Sequence, residues 1–257
     1  MKKFILTLAF LICIHSSLVA QFELNSTFIP VPDNVEKTRN VYAKSLNPGS
    51  SGENQKWDFT DLIPLNDSTI TTYVNPSFTP YGNNFPLSTV ASCDLNKSNY
   101  SYYKITNSTY EVLGFGQTMG VLIYSKPMIL MQYPLAYLQT FTNDFYGSGS
   151  NAGYTLNING NFSAECDAFG IIALPSGISD VIRIKTVSTY YDTLYFQGSI
   201  LSANFSTDTT FYWFKKNYKF TIFFISNTFS EGKSSKSAGY VVNSSTIDNS
   251  QLETESY

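Results

Sequence analysis

Histidine is almost missing from this chain: among 257 residues there is one, His15. It lies inside a stretch in which Lys2 and Lys3 precede the apolar run FILTLAFLICI and the small residue Ala20 closes the segment. That pattern reads as a signal peptide over residues 1–20. The run is short for a membrane-spanning helix, and polar residues follow at once. Ile12 rather than a small residue precedes Cys13, which argues against a lipid anchor. With the leader removed no histidine is left. Ser-His-Asp and Cys-His catalysis, the usual zinc sites and imidazole proton transfer are then excluded.

Charge is also scarce, at 14% of residues, and its balance is acidic, with 19 Asp and Glu against 16 Lys and Arg, two of which leave with the leader. Nucleic acid is therefore not an expected partner. Helical periodicity is absent from every stretch longer than about ten residues, and no fixed internal repeat occurs. Prolines at 127 and 134 interrupt the most continuous apolar run, GVLIYSKPMILMQYPL, and argue for strands rather than a helix there.

What the chain has is alternation. In YTLNINGNFSAEC, the apolar or small residues Tyr154, Leu156, Ile158, Gly160, Phe162, Ala164 and Cys166 alternate with Thr, Asn, Ser and Glu. Period two means a strand with one face toward a core and one toward water. The chain runs on through FGIIAL, turns at Pro175-Ser176-Gly177 and returns through VIRIKTVSTYY, a long hairpin. Further hairpins are expected around Thr106–Thr109 and Lys216–Tyr218. Short strands are expected in FELNSTFIPVP and TRNVYAKSL, and an edge strand in KSAGYVV. Aromatics make up 16% of residues, and Trp57 and Trp213 lie in segments expected to be buried. The expected fold is all-β: a β-sandwich of mainly antiparallel strands over residues 21–242, preceded by the signal peptide and followed by a polar linker or tail over 243–257.

Few residues suggest chemistry. Glu165 and Asp167 stand two apart on one strand, the spacing of a paired-carboxylate hydrolase, but any solvent-facing strand with two acids gives the same spacing. Asp94-Leu95-Asn96-Lys97-Ser98-Asn99 begins like a calcium loop and lacks its glycine and its closing acid, so a polar turn is expected. No catalytic, cofactor-binding or metal-binding residue is assigned, and no cofactor is expected. Tyr100, Tyr102, Tyr191 and Tyr212 could stack on sugars if their rings lie on an open sheet face; the competing reading places them in the core. After leader removal Cys93 and Cys166 are the remaining thiols. An even count in an exported chain allows a disulfide between them, with two buried free thiols as the alternative.

The order of landmarks GENQKWDFT, NPSFTPYGNNFP, YEVLG, YPLAYLQTFTNDF, FGIIALPSGISDVIRIKTV, FYWFKKNYK and SAGYV resembles the uncharacterised N-terminal β domain of secreted Bacteroidetes proteins that carry a type IX secretion sorting domain. Here no Tyr-Pro-Asn-Pro-like opening of such a sorting domain follows the polar tail. The resemblance implies an extracytoplasmic β module and brings no catalytic residue with it. The function expected is that of an exported, non-enzymatic module that is extracellular, cell-surface or periplasmic. Its role would be structural or adhesive, with carbohydrate binding through exposed aromatics as the alternative and carboxylate-dependent hydrolysis last. Partners would be surface glycans or other extracellular proteins, without membrane insertion after leader cleavage.

Overall fold

The fold comes from a computed structural model in which residues 23–246 are described. The expected signal peptide and the end of the polar tail lie outside these residues. Strands β1 (Asn34–Val41), β2 (Gly52–Asp58), β3 (Pro64–Val74) and β4 (Val90–Asp94) are followed by β5 (Asn99–Ile105), β6 (Thr109–Gln117), β7 (Gly120–Gln132) and β8 (Thr140–Asn151). The three longest come next: β9 (Tyr154–Leu174), β10 (Gly177–Phe196) and β11 (Ser199–Lys215). Last are β12 (Thr221–Ser230) and β13 (Lys233–Thr246), so the final strand crosses the expected boundary at 242. Two 3-10 turns, Pro76–Phe78 and Gly82–Asn84, are the only helical pieces among the described residues.

The chain is all-β, and its strands close on themselves. Around the ring the order is β1, β3 to β13 and back to β1, twelve antiparallel strands, with β2 added in parallel against β9. This corrects the expected sandwich. Alternation fixes which side chains face inward, but two packed sheets and one closed sheet require the same alternation. The decisive pairing is that of β13, which bonds β12 on one side and β1 on the other. The KSAGYVV segment expected at an edge is therefore internal to the ring, and the strand left at an edge is the added β2. The expected strand in FELNSTFIPVP is also not formed. Leu24 makes a single bridge to Leu135, and Leu24 and Phe28 pack into the barrel interior from one end.

Inside the barrel, Phe141, Phe145, Phe162, Ala164, Ile182 and Ile184 form the largest apolar cluster. Gly160 is part of why it packs. A Cβ at that position would lie 2.6 Å from the Phe145 ring and 2.3 Å from the Thr189 carbonyl oxygen, so the ring sits where a side chain would be.

The long β9–β10 hairpin changes phase partway along. Arg183 pairs with Ala168 and Ile184 with Cys166, so Asp167 is an extra, bulged residue. Up to Cys166 the even-numbered residues of β9 face the interior. From Ala168 onward they face outward, where Ala168, Ile172 and Leu174 join a second core. That outer core is roofed by the connection between β1 and β3, whose strand β2 lays Trp57 and Phe59 against Trp213 and Phe223. At Gly170 a Cβ would stand 1.9 Å from the Gln55 carbonyl oxygen, and glycine lets the β2 backbone approach this closely. The expected burial of both tryptophans is found, at 5% exposure for Trp57 and 0% for Trp213. A third core, around Phe85, Tyr100, Tyr102, Cys93 and Leu113, lies outside β4–β6 under the β3–β4 connection.

Candidate functional site

The residues singled out for chemistry are mostly used for structure. Glu165 faces water, whereas Asp167 is buried beneath the β2 roof, and both of its oxygens accept from Arg183, Nε–H at 2.9 Å and Nη2–H at 2.8 Å. A carboxylate held this way is an anchor and has no free oxygen for a reacting group, so the two acids do not form a working pair. Arg183, 1% exposed, also donates to the carbonyls of Pro48, Gly49 and Ser50, with the Trp57, Phe211 and Trp213 rings within 5.4, 5.1 and 5.7 Å of its guanidinium carbon. Every donor direction of the fork is thereby used.

Asp94 caps the β4–β5 turn as expected of a polar turn. It accepts from the Ser98 and Asn99 backbone N–H groups, the Ser98 hydroxyl and the Asn99 amide. These bonds, the Asn99 amide foremost, hold its carboxyl down at about 2.

Cys93 and Cys166 are both free and buried. Cys93 sits in the core outside β4–β6 and Cys166 in the barrel interior, so they face opposite sides of the wall five strands apart. The structure holds them as two separate buried thiols. Burial pushes the Cys166 thiol up to about 12, which makes it unreactive. Among the described residues, no group of three or more His, Cys, Asp or Glu side chains is placed to hold a metal.

Of the four tyrosines proposed to stack on sugars, three are turned away from solvent. Tyr100 and Tyr102 are buried in the outer core, where Tyr102 stacks on Phe85 at 4.1 Å and 12°. Tyr212 lies opposite Ile184 on the inward face of the barrel, where burial raises its hydroxyl. Such rings are strand formers filling space, as the competing reading had it. Tyr191 alone is open, at 56% exposure.

Around Tyr191 the register assembles a surface that the sequence did not reveal. Tyr191 stands opposite Phe205 with ring centroids 4.9 Å apart, and Phe205 is itself well exposed. Thr207 is two residues on from Phe205 on the same outward face, and opposite it stands the exposed Phe229. One more step along this lattice pairs Thr209 with Asn227 and Asn227 with Lys236. Thr207, Thr209, Asn227, Phe229 and Lys236, with Lys44 from the roof, line a trough of about 580 Å³, and the Tyr191–Phe205 pair lies along the strands beyond it. The Lys236 ammonium donates to the Leu46 carbonyl, which ties the roof to the trough wall. The result is a row of aromatic faces beside hydroxyl, amide and ammonium groups. Outward positions in STYYD, ANFSTDTT and SNTFS carried the only sequence signal, and reading it required the pairing of β10, β11 and β12.

The inward face across the wall is different. Glu36 accepts from the Tyr73 hydroxyl at 3.3 Å, and burial pushes its carboxyl from 4.5 to about 7 against the lowering effect of Tyr73 and Thr38. Tyr73 and Tyr110 are raised by burial in the same region. The arrangement holds a carboxyl raised by burial among phenols and offers no activated nucleophile beside it.

Comparison with known proteins gives no match to any family model, curated protein or solved structure.

Proposed function

We propose that this chain is an exported, non-catalytic β-barrel module that adheres to carbohydrate through the outer face of β10–β13. The observation that carries the reading is the Tyr191–Phe205–Phe229 row beside Thr207, Thr209, Asn227, Lys44 and Lys236. Sugars present an apolar ring face and a rim of hydroxyls, and they are met by aromatic faces flanked by hydrogen-bonding side chains. Three large rings left open on one strip of a wall otherwise rich in Thr, Asn and Ser are best accounted for by a ligand that covers them. The leader-like residues 1–20 and the resemblance to secreted Bacteroidetes cargo domains support the exported setting, at the cell surface or beyond it. On β9 the outward residues Asn159, Asn161 and Glu165 are exposed while Phe162 and Ala164 point inward. That is the reverse of a lipid-facing barrel strand and supports a module that stays in water after leader removal.

The test is a glycan array probed with the chain lacking residues 1–20, followed by titration of the best ligand against Tyr191→Ala and Phe205→Ala. Each loss of a ring is expected to weaken binding by about tenfold, the equivalent of ~1.4 kcal/mol. A uniform lack of response across the array removes the reading.

A further inference from the structure

The barrel is closed at one end and open at the other. Leu24, Phe28 and Leu135 fill the closed end. At the opposite end, where the β6–β7 and β8–β9 turns stand, a second cleft of about 520 Å³ opens into the wall. Its inner surface is built by lumen-facing pairs, Phe115 opposite Leu122 and Leu156 opposite Leu194, with Gly149 opposite Leu156 on the other side. At Gly149 a Cβ would come within 2.3 Å of the Val121 carbonyl oxygen, so the wall there is bare backbone.

Leu156 and Leu194 face inward and yet are not fully buried, because no segment of the described chain caps them as Leu24 and Phe28 cap the far end. No Asp, Glu, Lys, Arg or His lines the cleft, and the Asn151 amide at its rim is already donated to the Met119 carbonyl at 2.6 Å. The lining therefore offers an apolar surface with no ion to pair with a charged guest. An unpaired charge brought against these leucines would lose its water and gain no partner.

We propose that this mouth is a binding site for a small, neutral, predominantly apolar molecule that enters between the β6–β7 and β8–β9 turns and rests on Leu156 and Leu194. At roughly 30 Å³ per water-sized group, the cleft accommodates a guest of about 15–20 non-hydrogen atoms. The site is independent of the outer trough, being on the other face of the wall and at its end, and either can fail without the other.

The experiment uses the chain lacking residues 1–20 and the neutral fluorescent probe N-phenyl-1-naphthylamine, with its emission followed during titration. Saturable one-to-one binding is expected, weakened about tenfold or more in Leu156→Asn and in Leu194→Asn, in line with the loss of one buried apolar contact each. Met119→Asp, at the exposed β6–β7 turn and outside every core cluster, keeps the test valid should a leucine variant fold poorly; it is expected to weaken binding about threefold or more. Tyr191→Ala, on the outer strip, is expected to bind the probe as the parent does. The proposal is overturned by non-saturable emission, by binding that Met119→Asp and the folded leucine variants leave unchanged, or by equal affinity for the anionic analogue 1-anilinonaphthalene-8-sulfonate.

Discussion

Two roofs cover the outside of this barrel, and they are held by different physics. The β2 roof over Trp213 is fixed by a buried ion pair, three backbone carbonyls taken up by one guanidinium, and a parallel strand laid on β9. The β3–β4 roof over Tyr102 carries no charge in its core. Phe85 stacks on Tyr102, and the Thr79 and Tyr102 hydroxyls bond at 2.7 Å. The difference follows from what lies beneath. Under the first roof the β9 bulge leaves Asp167 facing a closed space, and a carboxylate there requires a full complement of donors. Under the second, the extra residue of the β5–β6 pairing is the apolar Leu113, which joins aromatic and small side chains, so stacking and one hydroxyl pair suffice.

The largest effect expected is from unpairing the first roof. Arg183→Met leaves the Asp167 carboxylate buried without its partner and is expected to cost about 3–5 kcal/mol, measured as denaturant unfolding of the chain lacking residues 1–20. The double variant Arg183→Met/Asp167→Leu, which removes both charges, should recover a substantial part of that loss; no recovery would mean that the guanidinium acts mainly by holding the three carbonyls. Next comes Phe85→Ala, which deletes the stacked ring of the second roof at an expected ~3 kcal/mol, with no partner charge to restore it.

Both measurements sit on a pH-dependent background from Glu36, whose removal sharpens the comparison. Its carboxyl is raised from 4.5 to about 7 in the folded chain, so between these values the folded state holds a proton that the unfolded state has released. Stability from this group is therefore fully present below about pH 4.5 and is lost as pH rises through about 7, by an amount of order 2–3 kcal/mol. Glu36→Gln should flatten that slope in unfolding free energy measured across pH 4.5–7.5, while leaving the difference between the two roofs intact. The smallest effect expected is from Thr79→Val, about 1 kcal/mol for one hydroxyl pair whose other member stays buried.

Much of the wall was legible in the sequence because a one-sided strand writes its environment in period two. The alternation through β9, the Pro175-Ser176 turn and the polar turn around Asp94 all appear where side-chain order and turn chemistry place them. The bulge did not announce itself, since Asp167 continues the parity of Glu165 and only the pairing of Arg183 with Ala168 displaces it. A lone arginine inside VIRI and a lone aspartate inside ECDAFG were the available signal: opposite charges in two apolar runs that a hairpin brings side by side. Ring closure was beyond reach for a different reason. It depends on β13 meeting β1, about two hundred residues apart in the chain, and no local preference encodes that contact. The open aromatic strip was likewise hidden, because exposure of Tyr191 and burial of Tyr100 differ in what lies over them rather than in their own strands.

The single extra residue at Asp167 also gives the β9–β10 hairpin two mechanical characters. From the bulge to the Pro175-Ser176 turn the ladder is clamped between the interior and the β2 roof. From the bulge to Tyr154 and Phe196 it is bonded to β8 and β11 at its edges but packs on its inner face only. Amide hydrogens of Val181–Ile184 should then exchange only through global opening, whereas those of Leu194–Phe196 should exchange through local fraying that leaves the rest of the barrel intact. The same asymmetry places the first cleavage by an added protease at the Gln197-Gly198 tip and not at Ser176.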